Sequence, residues 1–507
     1  MKLLVHKIAS WVLKRRMEQI ENFSRHPHKT QDMVLSRLIQ KGRETEWGKT
    51  YGYKNIHSIE HFRSQVPISS YEDLHPWIQR AFKGESNILW PGKTQQFAKS
   101  SGTTNDKSKY IPVSLESMDD SHIKAGQDML CMYFTNKPES KLFAGKTLSI
   151  GGSHQTHSEY GDVISGDLSA LIVENVPRFY ELCRAPSKAV ALMDSWEEKL
   201  PRMAEEVIDE DITGIAGVPT WTLVLIHRLM EMRGTDNLLD IWPNLELYLH
   251  GGVNFDPYRE QFKSLIPSDQ MSYLNCYNAS EGFFAVQNEL EADDMLLLLD
   301  YGIYFEFVPA ENIHEDHPKA YSLDEVELGR NYAMIISTNG GLWRYNIGDT
   351  ICFTSKDPYK IRVTGRTKHF INAFGEELMV DNAERAITKA TRETGAIVGD
   401  YTAAPIYFEG LNKGGHEWLI EFEQEPGDIH RFTHIMDETL KSLNSDYEAK
   451  RKGDLALGFP VLRVMPKGTF HHWMKKRGKL GGQNKVPRLA NNRKYVEDIL
   501  NMLSVQK

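Results

Sequence analysis

Four hydroxyl residues and a glycine, Ser100-Ser101-Gly102-Thr103-Thr104, are followed by Lys109 and Pro112. Small side chains of this kind build no apolar face, but they let several backbone N–H groups and hydroxyls converge on one anion, and phosphate is the natural guest. Lys109 adds a full positive charge, which suits a polyphosphate better than a neutral ligand. The same run also suits an ordinary polar surface loop. A second cluster, Tyr277-Asn278-Ala279-Ser280-Glu281-Gly282, directly follows a predicted strand. Glu281 is placed there to hold a cation next to phosphate, because Mg2+ takes few carboxylates and fills its shell with phosphate oxygens and water. A surface turn is the plain alternative. The third cluster is Trp343-Arg344-Tyr345-Asn346-Ile347-Gly348-Asp349, with Gly365-Arg366 further on. Asp349 can accept hydrogen bonds from two vicinal ribose hydroxyls, with Arg366 sharing the task. Alternatively, the two form an ion pair that closes a hairpin.

Competing chemistries lack their signatures. Gly145-Lys146-Thr147 has no glycine at the start of a Walker loop, and His314-Glu315-Asp316-His317 has the wrong spacing for the helical zinc motif. No Gly-x-Ser-x-Gly elbow is present.

The elements that must position these clusters can be read from periodicity and turn residues. Residues 1 to about 45 read as helical, beginning with an amphipathic segment. Ser69 and Glu72 have capping-box spacing before a helix through Trp77 to Phe82, and Ser114 is an N-cap, so the phosphate-loop candidate leads into a helix. Strands are expected at 147–150, 212–218, 245–249 and 271–276, with a helix at 223–232. Strands that alternate with helices and end in glycine-rich turns indicate an α/β sheet with its ligands at the carboxyl ends of the strands. From residue 295 onward strands follow without helices, at 295–299, 303–308, 331–337 and 350–354, which reads as an antiparallel or barrel-like subdomain. A helix is expected near Val380, and mixed α/β patterns run to the end.

The fold class is therefore α/β, with a large N-terminal domain (1–367) of mixed sheets and a smaller, mobile α+β C-terminal domain (368–507). The large domain contains a helical part (1–95) and a β-barrel-like subdomain (about 295–367). At 507 residues the chain is long enough for two or three such units. A formal net charge of -9 argues against a non-specific nucleic-acid binder. Four scattered cysteines imply neither a disulfide framework nor a zinc site and fit a reducing cytoplasm, and no apolar run is long enough to span a membrane.

Taken together and in order, Ser-Ser-Gly-Thr-Thr with Lys109 and Pro112, Tyr-x-x-Ser-Glu-Gly, Arg-x-x-x-Gly-Asp and Gly-Arg resemble the adenylate-forming superfamily of acyl-activating ligases. The narrower resemblance is to the auxin-responsive Gretchen Hagen family of acyl-acid amido synthetases. It rests also on Thr45-Glu46-Trp47-Gly48, residues 62–71, Ile215-Ala216-Gly217-Val218-Pro219 and Gln483-Asn484-Lys485-Val486-Pro487-Arg488. The resemblance implies that ATP and Mg2+ are used to adenylate a carboxylic acid, after which an amine, expected to be an amino acid, takes the acyl group. Coenzyme A as the acceptor, or a nucleotide-binding protein without turnover, are the other readings. It also implies that Ser100, Ser101, Gly102, Thr103 and Thr104 line the ATP phosphates, with Lys109 as the motif's lysine. Glu281 faces the metal, Ser280 lies near the α-phosphate, Tyr277 near the adenine, and Asp349 and Arg366 hold the ribose. Lys485 matches the mobile lysine of the small domain, and Lys368 sits at the hinge. Val218, Trp221 and His250 are candidates for the acyl pocket, where Val218 and Trp221 read equally well as core. A monomer is expected. One departure is Asp106, where plant members carry glycine.

Overall fold

The computed structural model describes residues 15–101, 108–253, 255–366, 370–408, 413–454, 456–477 and 486–504. Its largest layer is an 11-stranded sheet. One half is parallel and runs through Arg184–Ala185, Lys146–Ser149, Ile212–Ala216, Leu247–Gly251 and Ser272–Ala279. Strands such as Ile212–Ala216 are buried along almost their whole length, as expected where helices cover both faces. At Ser272–Ala279 the sheet turns antiparallel and continues through Gly282–Val286, Met295–Leu297, Tyr359–Arg366, Tyr345–Lys356 and Asn331–Thr338 to Ile303–Pro309. The β-rich stretch expected as an antiparallel or barrel-like subdomain is thus the antiparallel half of one continuous sheet.

A second sheet, in the order Ser108–Val113, Gln96–Ser101, Val163–Gly166, His154–His157, carries the serine-rich segment. Toward the C-terminus, Ile397–Ile406, Gly415–Gln424 and Val461–Met465 form a third sheet packed with helices Val380–Thr394 and Ile429–Leu443. Its apolar core, from Ile371 to Leu489, shares no fully buried residue with the large cluster running from Ile20 to Ile361.

Local expectations hold with shifted edges. The capping box forms one residue later than expected, between Ser70 and Asp73, and opens helix Tyr71–Phe82. Ser114 does cap a helical turn, but the serine-rich loop itself leads first into a strand. The helix expected at 223–232 starts earlier, at Pro219, where proline suits the first turn. The strand expected to stop at 276 runs to Ala279 because Gly282–Val286 folds back on it and supplies hydrogen-bond partners. The one expected at 350–354 runs from Tyr345 to Lys356, paired on both sides.

Candidate active site

Ser100 and Ser101 end a strand that pairs antiparallel with the strand beginning at Ser108. Ser100 lies opposite Lys109 and Ser101 opposite Ser108, so the hairpin register itself brings the lysine beside the serines. Gly102, Thr103, Thr104 and Asp106 lie outside the described residues. Lys109 extends its Nζ over the ring of Tyr71, 5.6 Å from the centroid. The Tyr71 hydroxyl in turn accepts a hydrogen bond of 3.0 Å from the Tyr110 N–H. The capped helix that begins at Tyr71 therefore props up the lysine, a role with no motif to reveal it in the sequence.

Ser280 and Glu281 form the tight turn between Ser272–Ala279 and Gly282–Val286, where Ala279 pairs with Gly282. Part of Glu281 still reaches solvent, but the protein around its carboxylate desolvates it and pushes its pKa up to about 7, against the pull of the Lys109 charge. Among the described residues no side chain donates a hydrogen bond to that carboxylate. A carboxylate held at such a cost suits a hard cation that keeps most of its shell for phosphate and water, so Glu281 fits Mg2+.

Asp349 and Arg366 are direct neighbours across the strand pair Tyr345–Lys356 and Tyr359–Arg366. Arg366 Nε donates to Asp349 Oδ1 at 2.8 Å, and Tyr277 donates its hydroxyl to Asp349 Oδ2 at 2.6 Å. Arg366 Nη2 also donates to Glu377 Oε1 at 3.0 Å. Burial and the neighbouring Asp349 hold the Tyr277 hydroxyl far above the ordinary phenol range, so it stays a donor. Arg344, part of the same motif, has a different job. It is buried, with φ of 42°, and binds Glu306 through Nε and Nη2 at 2.9 and 3.1 Å while Nη1 donates to the carbonyls of Arg63 and Val66.

The three residues read as acyl-pocket candidates have distinct surroundings. Val218 precedes the first residue of helix Pro219–Arg233. His250 is buried, stacks on Phe255 at 3.9 Å, and is kept neutral by burial, which lowers its pKa to about 3. Trp221 stacks on Trp196 with ring centroids 4.0 Å apart and 2° between the planes, and Lys450 Nζ lies 4.7 Å from its ring centroid. That contact comes from the C-terminal sheet's side of the molecule, which meets the site at several further points. Ser445 Oγ is 3.1 Å from Ser108 Oγ at the base of the serine hairpin. Asn444 Nδ2 donates to the carbonyls of Glu376 and Glu377, and Tyr258 donates its hydroxyl to the Ala373 carbonyl at 2.5 Å. Lys368 and Lys485 lie outside the described residues.

The GH3 family N-terminal domain matches residues 16–271, half of the chain, the GH3 central domain matches 296–366 and the GH3 C-terminal domain matches 381–494. The chain belongs to the GH3 family. This GH3 protein is 24% identical to indole-3-acetic acid-amido synthetase GH3.3 of Arabidopsis thaliana, over 93% of this chain and 91% of that one. It is 22% identical to the 4-substituted benzoates-glutamate ligase GH3.12 of the same plant, over 95% and 96% of the two chains. Among solved structures it resembles GH3.15 acyl acid amido synthetase in complex with 2,4-DB, with a TM-score of 0.63 at 16% identity over 96% of each chain. That likeness establishes the shared fold. The GH3 site thus gathers a serine hairpin with its lysine, a carboxylate to which no described side chain donates, and an Asp–Arg–Tyr trio, drawn from four separate stretches of chain.

Proposed function

We propose that this protein is an ATP-dependent acyl acid amido synthetase that adenylates a carboxylic acid and transfers the acyl group to an amine, specifically an amino acid. The observation that carries this is the convergence of Lys109, Glu281, Asp349 and Arg366. Lys109 and Asp349 both act on the Glu281 carboxylate, and Glu281 acts on Arg366. The first step needs no side-chain nucleophile, because the carboxylate substrate is already an anion at neutral pH. The protein's task is to align it with the α-phosphate and to balance phosphate charge.

The serine hairpin presents hydroxyls and N–H groups to the phosphates, with Ser100 to Thr104 around them and Lys109 alongside. Ser280 lies near the α-phosphate. Asp349, held between Arg366 and Tyr277, accepts from the ribose hydroxyls, and Tyr277 borders the adenine. Glu281 would hold Mg2+, whose chemistry is neutralisation of phosphate charge. Val218 and Trp221 lie on the side where the acyl group is expected. Residues 1–367 and 368–507 act as two bodies joined near Lys368, with Lys485 carried by the smaller one.

Carboxylate-dependent exchange of labelled pyrophosphate into ATP, across a panel of acids, tests this reading. Exchange with one class of acid, followed by amide formation with amino acids, supports it. An acyl-coenzyme A product would assign a different acceptor, and absence of exchange with every acid would leave a nucleotide binder.

A further inference from the structure

Helix Ser445–Arg451 faces the candidate site with two opposite charges one turn apart, Asp446 and Lys450. They form no ion pair with each other. Lys450 is buried, with 9% of the residue exposed, and among the described residues its ammonium donates no hydrogen bond. Its surroundings are the Trp221 ring and Gly375, where an added Cβ would lie 3.5 Å from Nζ. Burial lowers its pKa, while Asp446, Asp167 and Glu376 act to raise it. Lys450 is largely taken from water, and although these three carboxylates act on it none is hydrogen-bonded to it among the described residues, so its donors stay open to a further anion. The Asp446 carboxylate is likewise without a hydrogen-bond donor among the described residues. Burial and Glu377 push its pKa up to about 7, opposed by Lys450 and Lys99, with Asp167 adding to the rise.

The cluster borders the nucleotide site on two sides. Ser445, the residue before Asp446, meets Ser108 of the serine hairpin, and Glu377 joins the cluster to Arg366 and so to Asp349. We propose that Asp446 and Lys450 together form the acceptor site for a zwitterionic amino acid, Lys450 holding its carboxylate and Asp446 its ammonium. This rests on the amido synthetase reading above and deepens it. In the transfer step the ammonium gives one proton to Asp446, and the neutral nitrogen attacks the acyl carbonyl. The new C–N bond forms as the C–O bond to phosphate breaks, the electron pair leaves with AMP, and the second nitrogen proton passes to that phosphate or to water. A carboxylate that titrates near neutrality is matched to such a transfer.

The test compares amino acids with their carboxamides as acceptors, using the acid that gives the fastest pyrophosphate exchange. In Lys450→Met the preference for the free amino acid, as a ratio of kcat/KM values, should fall at least tenfold, the worth of one charge-assisted hydrogen bond. Lys450→Arg should retain most of it and also shows that the fold tolerates change there. In the parent protein the rate of amide formation should rise with pH through about 7, and Asp446→Asn should be slower and lack that limb. An unchanged preference in Lys450→Met, or an unchanged pH profile in Asp446→Asn, overturns the inference while leaving adenylation intact. Transfer to coenzyme A alone, with normal exchange, also overturns it. Absence of exchange with any acid overturns the amido synthetase reading itself and takes this one with it.

Discussion

Asp349 is gripped from both sides, by Arg366 Nε at 2.8 Å on Oδ1 and by the Tyr277 hydroxyl at 2.6 Å on Oδ2. Both groups donate, so the carboxylate is aimed, with lone pairs left for a ribose. Asp349→Asn preserves shape but removes the charge that Arg366 faces. The ATP KM in pyrophosphate exchange should rise by about tenfold to a hundredfold, in line with losing one or two charge-assisted hydrogen bonds. Tyr277→Phe should raise it by less. Equal effects of the two would mean that aiming matters and charge does not.

Glu281 makes the ligand-free protein sensitive to pH. Its folded pKa, about 7, lies above the ordinary value of 4.5, so between those limits the unfolded chain gives up the proton first. Stability therefore falls as pH rises through that window, and below it the difference vanishes. Glu281→Gln should gain about 3 kcal/mol at pH 8 and little at pH 4 in urea titrations, since a tenfold change in proton affinity is worth about 1.4 kcal/mol. The same variant should lose most of its Mg2+-dependent exchange.

Arg344 should act on the fold and not on the nucleotide. Arg344→Met strands Glu306 with only Arg63 as a cationic partner, at 2.9 Å. The expected cost is about 3 kcal/mol of stability, as for other broken buried pairs. In the fraction that remains folded, the ATP KM should stay within about twofold. A KM change of tenfold or more in stable protein would place Arg344 in the site.

Trp221→Ala removes the Trp196 stack and the face against which Lys450 rests. A loss of about 3 to 5 kcal/mol is expected from deleting so large a buried ring. Because the Lys450 contact links helix Pro219–Arg233 to helix Ser445–Arg451, amide formation should suffer more than pyrophosphate exchange. Stopped-flow measurement of the two half-reactions separates them.

What the sequence made legible was whatever one hairpin or one strand end brings together. Asp349 and Arg366 become neighbours through the register of a single strand pair, and Ser100 and Lys109 through another. Glu281 reads correctly as lying beside a strand, though its place in a tight turn depends on the following strand folding back. Tyr71, Glu377, Asp446 and Lys450 carried no signal, because each reaches the site by long-range packing that local patterns do not encode. Trp221 shows the same limit: its helix was readable, but the partners on its two faces come from residues 196 and 450. The antiparallel character of the β-rich stretch was legible, but its continuity with the parallel half was not. A run of antiparallel strands looks the same in sequence whether it closes on itself or extends a neighbouring sheet.

The nearly parallel indoles of Trp196 and Trp221, with an ammonium from the far end of the chain 4.7 Å from one of them, amount to a built-in optical gauge. Two stacked, parallel chromophores at that separation couple their transitions, and the adjacent charge shifts the energy of one. Any excursion that carries Lys450 away changes tryptophan emission and the near-ultraviolet dichroism of the pair, so the position of Lys450 relative to Trp221 can be followed in unlabelled protein.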